Sequence, residues 1–218
     1  MTIKRKLELM DAMNNSWNAI IYKGWAPIYD WIFDAGPFTR AREKIFTDIQ
    51  FQPGDRILFV GVGTGADIDR LPDKKLSVTA IDYSEDMLQK ARRKFADSDI
   101  QFMKMDAQQL DFPSESFDYV VGSLILSVVP DSNRAFDEMT RVCRINGTIL
   151  IFDKFAEPGK GLSRSKKLLR NLIKVLGTDI GVSFEALYQR KRSALTLLSD
   201  DGIMFGGMYR KITLKKVP

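Results

Sequence analysis

The residues best placed to do chemistry lie in one short stretch. Gly61-Val62-Gly63-Thr64-Gly65 follows the apolar run Arg56-Ile57-Leu58-Phe59-Val60, and an acid, Asp82, closes the next apolar run, Leu76 to Ile81. Glycines let a backbone approach a ligand closely, and free N–H groups at a helix start attract anionic or polar groups. An acid at the end of the following strand accepts hydrogen bonds from two ribose hydroxyls. The pattern points to a nucleoside-bearing ligand. The chain has no histidine and one cysteine, Cys143. This excludes Ser-His-Asp and Cys-His devices, imidazole-bound metals, an imidazole base, a disulfide framework and a cysteine-based zinc site. Catalysis must work by positioning, or through carboxylates, hydroxyls, lysines or a cofactor.

On spacing alone two cofactors fit. Gly61-x-Gly63-x-x-Ala66 satisfies the dinucleotide fingerprint of an NAD(P) enzyme. S-adenosyl-L-methionine (SAM) has no pyrophosphate and needs room only for its aminocarboxypropyl chain and ribose. The NAD(P) reading lacks a His or Tyr-x-x-x-Lys set and leaves Asp106-Ala107 unexplained.

Alternating strands and helices must position these residues. Strands are predicted at 56–60, 76–81, 100–103, within 117–126 and at 148–152, with helices over 66–71, 85–95 and 133–144. Ser84 is placed to cap the second of these, with Glu85 and Asp86 in its first turn. Earlier helices are predicted over 3–21 and 38–49, and later ones over 162–176 and 184–198. Two last strands, near 203–205 and over 208–214, flank Gly206-Gly207. Such an order implies βαβ units and a parallel sheet covered on both faces. With 218 residues, 44% of them apolar, the chain can bury one full core.

Val78-Thr79-Ala80-Ile81-Asp82-Tyr83-Ser84-Glu85-Asp86-Met87-Leu88, after the glycine loop, resembles the first motifs of class I SAM-dependent methyltransferases. Met105-Asp106-Ala107, Leu110, Phe112-Pro113, Ser116-Phe117-Asp118 and Arg141-Val142 extend the resemblance, which covers roughly residues 20–155. It is closest to the branch of phospholipid N-methyltransferases and ubiquinone/menaquinone methyltransferases, whose Y…A-P-x-Y-D pattern is matched by Tyr22 and Ala26-Pro27-Ile28-Tyr29-Asp30. The resemblance implies a Rossmann-like α/β fold: a mostly parallel seven-stranded sheet, helices on both faces and a C-terminal antiparallel hairpin. The chain is then one domain, with a helical lid over 1–50, a SAM-binding core over 51–155, and basic helices plus the hairpin over 156–218.

The resemblance also implies roles. Gly61, Gly63, Thr64 and Gly65 line the methionine end of SAM. Asp82 binds the ribose, Tyr83 packs on the adenine, and Met87 belongs to the same pocket. Asp106 accepts from the adenine amino group beside Ala107. Ser123 and Leu124 face the sulfonium. Tyr22 and Tyr29 close over the site, and Tyr22, Tyr29 or Asp153 orients an amine acceptor or takes its proton. S-adenosyl-L-homocysteine (SAH) is the product, and no metal is required. A cofactor that carries its own activated methyl group suits a chain without histidine. Two positions depart from the family. Phe59 stands where an acid is usual, which weighs on SAM affinity and keeps a non-catalytic nucleoside-binding protein in view. Arg144-Ile145-Asn146-Gly147 replaces K-P-G-G, and Asn tolerates left-handed geometry.

The charge of +5 is uneven. Residues 154–218 carry 14 Lys and Arg against 5 acids, a net +9, which leaves −4 on the rest. The stretch 162–176 places Leu162, Leu169, Leu172, Ile173 and Leu176 on one helical face, with Arg164, Lys166, Lys167, Arg170 and Lys174 around the remainder. Such a helix can cover the sheet with a solvated basic face, or rest on an anionic bilayer. Lys4-Arg5-Lys6 offers a second contact. No aromatic-interleaved basic motif suggests nucleic acid. Glu8, Asp11 and Asn14 interrupt any leader-like apolar run, so the expected location is the cytoplasm, peripherally on the inner membrane face. The acceptor is expected to be a lipid amine, with a soluble small molecule or quinone precursor as the alternative.

Overall fold

Ile57-Leu58-Phe59-Val60 is apolar without interruption because both of its faces are covered. In the computed structural model, which describes residues 36–72, 75–156 and 181–218, it forms strand β1 (Arg56–Val60). Side chains alternate between faces along a strand. Leu58 and Val60 accordingly join one core cluster, and Ile57 and Phe59 the other.

Six further strands complete the sheet: β2 (Ser77–Asp82), β3 (Gln101–Lys104), β4 (Phe117–Ser123), β5 (Cys143–Lys154), β6 (Leu195–Met204) and β7 (Tyr209–Lys216). The order is β3-β2-β1-β4-β5-β7-β6. β1 to β5 run parallel; β7 is antiparallel to β5 and β6. This is the Rossmann-like α/β sheet with a C-terminal antiparallel hairpin. The strand order reverses between β1 and β4, and ligands of such sheets bind there, beyond the carboxyl ends.

Helices cover both faces. Phe38 and Ala41 of α1 (Pro37–Glu43), Ile45 and Phe46 after it, and Phe95 after α2 (Glu85–Lys94) pack on Ile57, Phe59, Val78 and Ala80. Opposite them, α3 (Ser132–Val142) and α4 (Phe184–Lys191) bury Phe136, Met139, Phe184 and Leu187 against Val120, Ile149 and Ile212. Arg141 of α3 clasps the loop before β4. It donates to the Leu110 and Phe112 carbonyls at 2.8 and 2.7 Å and to both oxygens of Glu138, one of which also accepts from Leu110 N–H. The hydrogen bond from Arg141 holds the Glu138 carboxyl below its usual range. The R-V element of the sequence pattern is thus a structural clasp.

Caps end the helices as expected of Ser and Asp. Ser84 Oγ accepts from Met87 N–H, and Asp131 Oδ1 accepts from Asn133 and Arg134 N–H at 2.9 and 3.1 Å. Asp131→Ala is expected to lower stability by about 1–2 kcal/mol in urea denaturation. An unchanged midpoint would show that the cap is dispensable.

Four predicted elements differ in extent. The helix over 66–71 is a single 3₁₀ turn, Ile68–Arg70, because Leu71 precedes Pro72 and is extended (φ −66°, ψ 143°). The helix over 38–49 is regular only to Glu43; N–H groups of Lys44, Ile45 and Thr47 then bond three residues back, in tighter turns. The helix over 184–198 ends at Lys191, and the residues from Leu195 join β6. Leu195 is buried, Thr196 exposed and Leu197 half-buried, a strand period read as a helical one. β5 starts early, at Cys143, and Asn146 takes the left-handed conformation expected of it (φ 62°). The stretches 3–21 and 162–176, with Tyr22 and Tyr29, lie outside the described residues. No helix among the described residues is long and apolar enough to cross a membrane.

Candidate cofactor site

The carboxyl edges of β1, β2 and β4 meet around the glycine loop. Gly61 leaves β1 at φ 72°, and its N–H and that of Val62 both donate to the Ile81 carbonyl at 2.9 Å. A Cβ at Gly61 would lie 2.5 Å from Ile125 Cδ1, and one at Gly65 2.5 Å from the Phe95 ring. Gly63, between them, has nothing within 4 Å of that position. The loop is therefore pinned at both ends and open in the middle. That cradle has room for a ligand against backbone.

Asp82 ties the cradle to β2. Its Oδ2 accepts from Gly63 N–H and its Oδ1 from Ser84 N–H, both at 2.8 Å. Burial pushes its carboxyl above the usual range, against the pull of backbone donors at Ser84, Gly63 and Tyr83. With three backbone donors on its two oxygens, the carboxylate keeps an acceptor position for a further hydroxyl. Tyr83 is 41% exposed beside it, available to lie on an aromatic base. Met87 is buried in the first turns of α2. Thr64 is half-buried in the loop.

The other sequence-identified residues border the same edge. Asp106 follows β3 and accepts from Gln108 N–H at 2.9 Å and from its side-chain amide. Ala107 is buried next to it. Ser123 ends β4, with its Oγ buried and without a hydrogen bond. A buried hydroxyl of this kind suits a polar ligand atom beside it. Leu124 follows at φ 55°. Asp153, at the end of β5, is 0% exposed; its oxygens accept from Ser127 and Lys154 N–H. Burial raises its pKa. It is enclosed by the protein.

Sequence reasoning missed three partners. Ile125 roofs Gly61. Arg42 Nη1 donates to Asp67 Oδ1 at 2.7 Å, a buried pair that holds the loop's exit against the segment before β1. Phe59 meets Phe46 edge-on at 6.3 Å and is buried in the core cluster on the α1 face of the sheet. Its place at the acid position is thus a packing feature of that face. None of these carries a local signal, because each contact joins residues far apart in sequence. Among the described residues no cluster of His, Cys, Asp and Glu is arranged to hold a metal ion.

The residues therefore fit a SAM-type ligand: an open glycine cradle, an acid with acceptor capacity beside it, and an orphaned buried hydroxyl at the end of β4. Comparison with known proteins agrees. The family described as Methyltransferase domain matches residues 58–151. A phosphatidylethanolamine N-methyltransferase of Cereibacter sphaeroides is 38% identical over 205 residues, covering 92% of this chain and 95% of that protein. A demethylmenaquinone methyltransferase of Renibacterium salmoninarum is 33% identical over 150 residues, covering 67% of this chain and 62% of its own length. In fold, the chain is similar to the geranyl diphosphate C-methyltransferase of Streptomyces coelicolor A3(2), determined with Mg2+, geranyl diphosphate and SAH. The TM-score is 0.67 at 12% identity, covering 83% of this chain and 81% of that one. The chain belongs to the class I SAM-dependent methyltransferases, in the branch of phospholipid N-methyltransferases and ubiquinone/menaquinone methyltransferases, and is an enzyme whose methyl donor is SAM.

Proposed function

We propose that this enzyme N-methylates the amine of a phosphatidylethanolamine-like lipid at a membrane surface. The observation that carries the reading is the end-to-end similarity to the Cereibacter sphaeroides enzyme, against a match to only 62% of the demethylmenaquinone methyltransferase. The basic, amphipathic stretch 162–176 supports it, as a means of resting on anionic lipid from the cytoplasmic side.

Within the site, Gly61, Gly63, Thr64 and Gly65 hold the methionine end of the cofactor, and Asp82 takes its ribose hydroxyls. Tyr83, Met87, Asp106 and Ala107 enclose the adenine. Ser123 and Leu124 lie at the sulfonium. When bound, SAM supplies an electrophilic methyl group that already carries its leaving group. What the chain must do is bind, align and exclude water. The amine arrives unprotonated, and Tyr22 and Tyr29 orient its lone pair. The enclosure of Asp153 leaves these tyrosines as the groups nearest in role to the acceptor.

The test is transfer from methyl-labelled SAM with the full chain. Vesicles of phosphatidylethanolamine with anionic phosphatidylglycerol are expected to take up label in a lipid that migrates as the monomethylated amine. Labelling of a demethylmenaquinone in place of the lipid would overturn the lipid reading and favour the quinone one. Loss of vesicle binding on reversing Lys166 and Lys167 to Glu would support the role of 162–176; unchanged co-sedimentation would remove it.

A further inference from the structure

Asp153 takes no part in the cofactor contacts proposed above, yet it is a fully buried acid at the ligand edge. Its Oδ2 accepts from Ser127 N–H at 3.2 Å and its Oδ1 from Lys154 N–H at 2.8 Å. The Ser127 hydroxyl adds a further bond. Ser127 closes the loop that follows β4. At the other end of that loop, Leu124 N–H donates to the Phe152 carbonyl at 2.7 Å, one residue before Asp153. Both ends are thus tied to the end of β5.

The backbone between them needs such a tie. Leu124 sits at φ 55°, where the Cβ of an L-residue crowds its own carbonyl. Strain of this kind persists only when the surroundings over-determine it, and it gathers at functional sites. Ile125, the next residue, presses on the cofactor loop: its Cδ1 would be 2.5 Å from a Cβ at Gly61. Ser123, just before, carries the orphaned hydroxyl. If the loop relaxed, the roof of Gly61 and the Ser123 hydroxyl would both shift.

We propose that Asp153 is a positioning residue: by strapping Ser127 to β5 it holds Leu124 in the left-handed conformation and keeps Ile125 and Ser123 preset against the cofactor cradle. This rests on the SAM site proposed above. Both Asp153 oxygens are engaged by backbone donors, so it acts through the loop and touches neither donor nor acceptor. Cofactor affinity then depends on a carboxylate that makes no contact with the cofactor.

The experiment compares the full-length parent and Asp153→Asn by amide exchange and by SAH titration. An amide side chain keeps the volume but turns a donor toward one of the two N–H groups. Amides of 124–127 are expected to exchange at least about 10-fold faster, with those of β1 and β2 unchanged, and SAH to bind about 10-fold more weakly. Parent-like exchange in 124–127 would overturn the strap. Faster loop exchange with SAH affinity within twofold of the parent would overturn its role in the cofactor site. A uniform rise in every strand would mark global destabilisation and also overturn it. A parent chain that fails to bind SAH would sink the SAM site and the positioning role with it, and the exchange rates distinguish that failure from a missing strap. Should Asp153→Asn not fold, Ser127→Ala removes only the hydroxyl bond and is expected to shift both readouts the same way, about threefold.

Discussion

Asp82→Ala is expected to weaken SAH binding by about 100-fold, the largest loss of any single side chain in the site. The carboxylate has two tasks. It accepts from Gly63 and Ser84 N–H, which fixes the cradle to β2, and in the proposed site its remaining acceptor capacity takes a ribose hydroxyl. Charge-assisted hydrogen bonds of this kind contribute about 1.5–3 kcal/mol each. Titration calorimetry with SAH measures the effect, and a loss under threefold would remove Asp82 from the site. The pH dependence has a distinctive sign. Burial raises the Asp82 pKa above 3.8. A raised carboxyl pKa favours the protonated folded state, so Asp82's contribution to folding is full below the unfolded value and is lost as pH rises through the folded one. The ionised form, however, is the better acceptor for hydroxyls. Acidification through that window should therefore firm the fold at Asp82 while it weakens SAH binding. Asp82→Asn removes the step in affinity.

The second expectation separates two glycines two residues apart. Gly61→Ala meets a left-handed φ of 72° and a Cβ position 2.5 Å from Ile125 Cδ1. The backbone term costs roughly 1–2 kcal/mol and overpacking adds about 1–3 kcal/mol, so the apo protein itself is expected to melt earlier. Gly63→Ala has φ 56° but open space around its Cβ. It is expected to cost the apo protein only the backbone term, about 1–2 kcal/mol, yet to abolish SAH binding because its methyl group occupies the cradle. Thermal unfolding with and without SAH distinguishes them. Ile125→Ala in the Gly61→Ala background should recover the packing part alone. Equal melting temperatures for the two single variants would contradict the roof that Ile125 makes over Gly61.

Much of this arrangement is local in origin and so legible from the chain. The β1 run, the glycine loop and Asp82 are adjacent strand, turn and strand end, and Ser84 is a cap set by its own neighbours. Asn146 adopts the φ its chemistry tolerates. The misread stretches failed where a competing local rule won. Pro72 stopped a helix, and the leucines after Ala194 serve a strand period. The unread parts are contacts across long sequence separations. Ile125 on Gly61, Arg42 with Asp67 and the tie from Asp153 to Ser127 exist only once the sheet is assembled. Spacing along the chain carries no trace of them. Phe59 shows the same limit: as a letter it reads as a lost acid, and in the core it is an aromatic partner of Phe46.

The strand order also sets a timetable for synthesis. β7 is made after β6 but lies inside it, between β5 and β6. When β6 leaves the ribosome it has no partner in the sheet, and β5, with Ile149 to Phe152 fully buried in the finished protein, still presents a bare edge. Only the completed hairpin can close that edge, through the antiparallel register that joins Thr148 with Lys215 and Lys154 with Tyr209. The nascent chain thus carries a sticky, apolar strand until β7 is free. Closing that edge also brings Arg210 of β7 to its two carboxylate partners, Asp200 of β6 and Glu185 of α4.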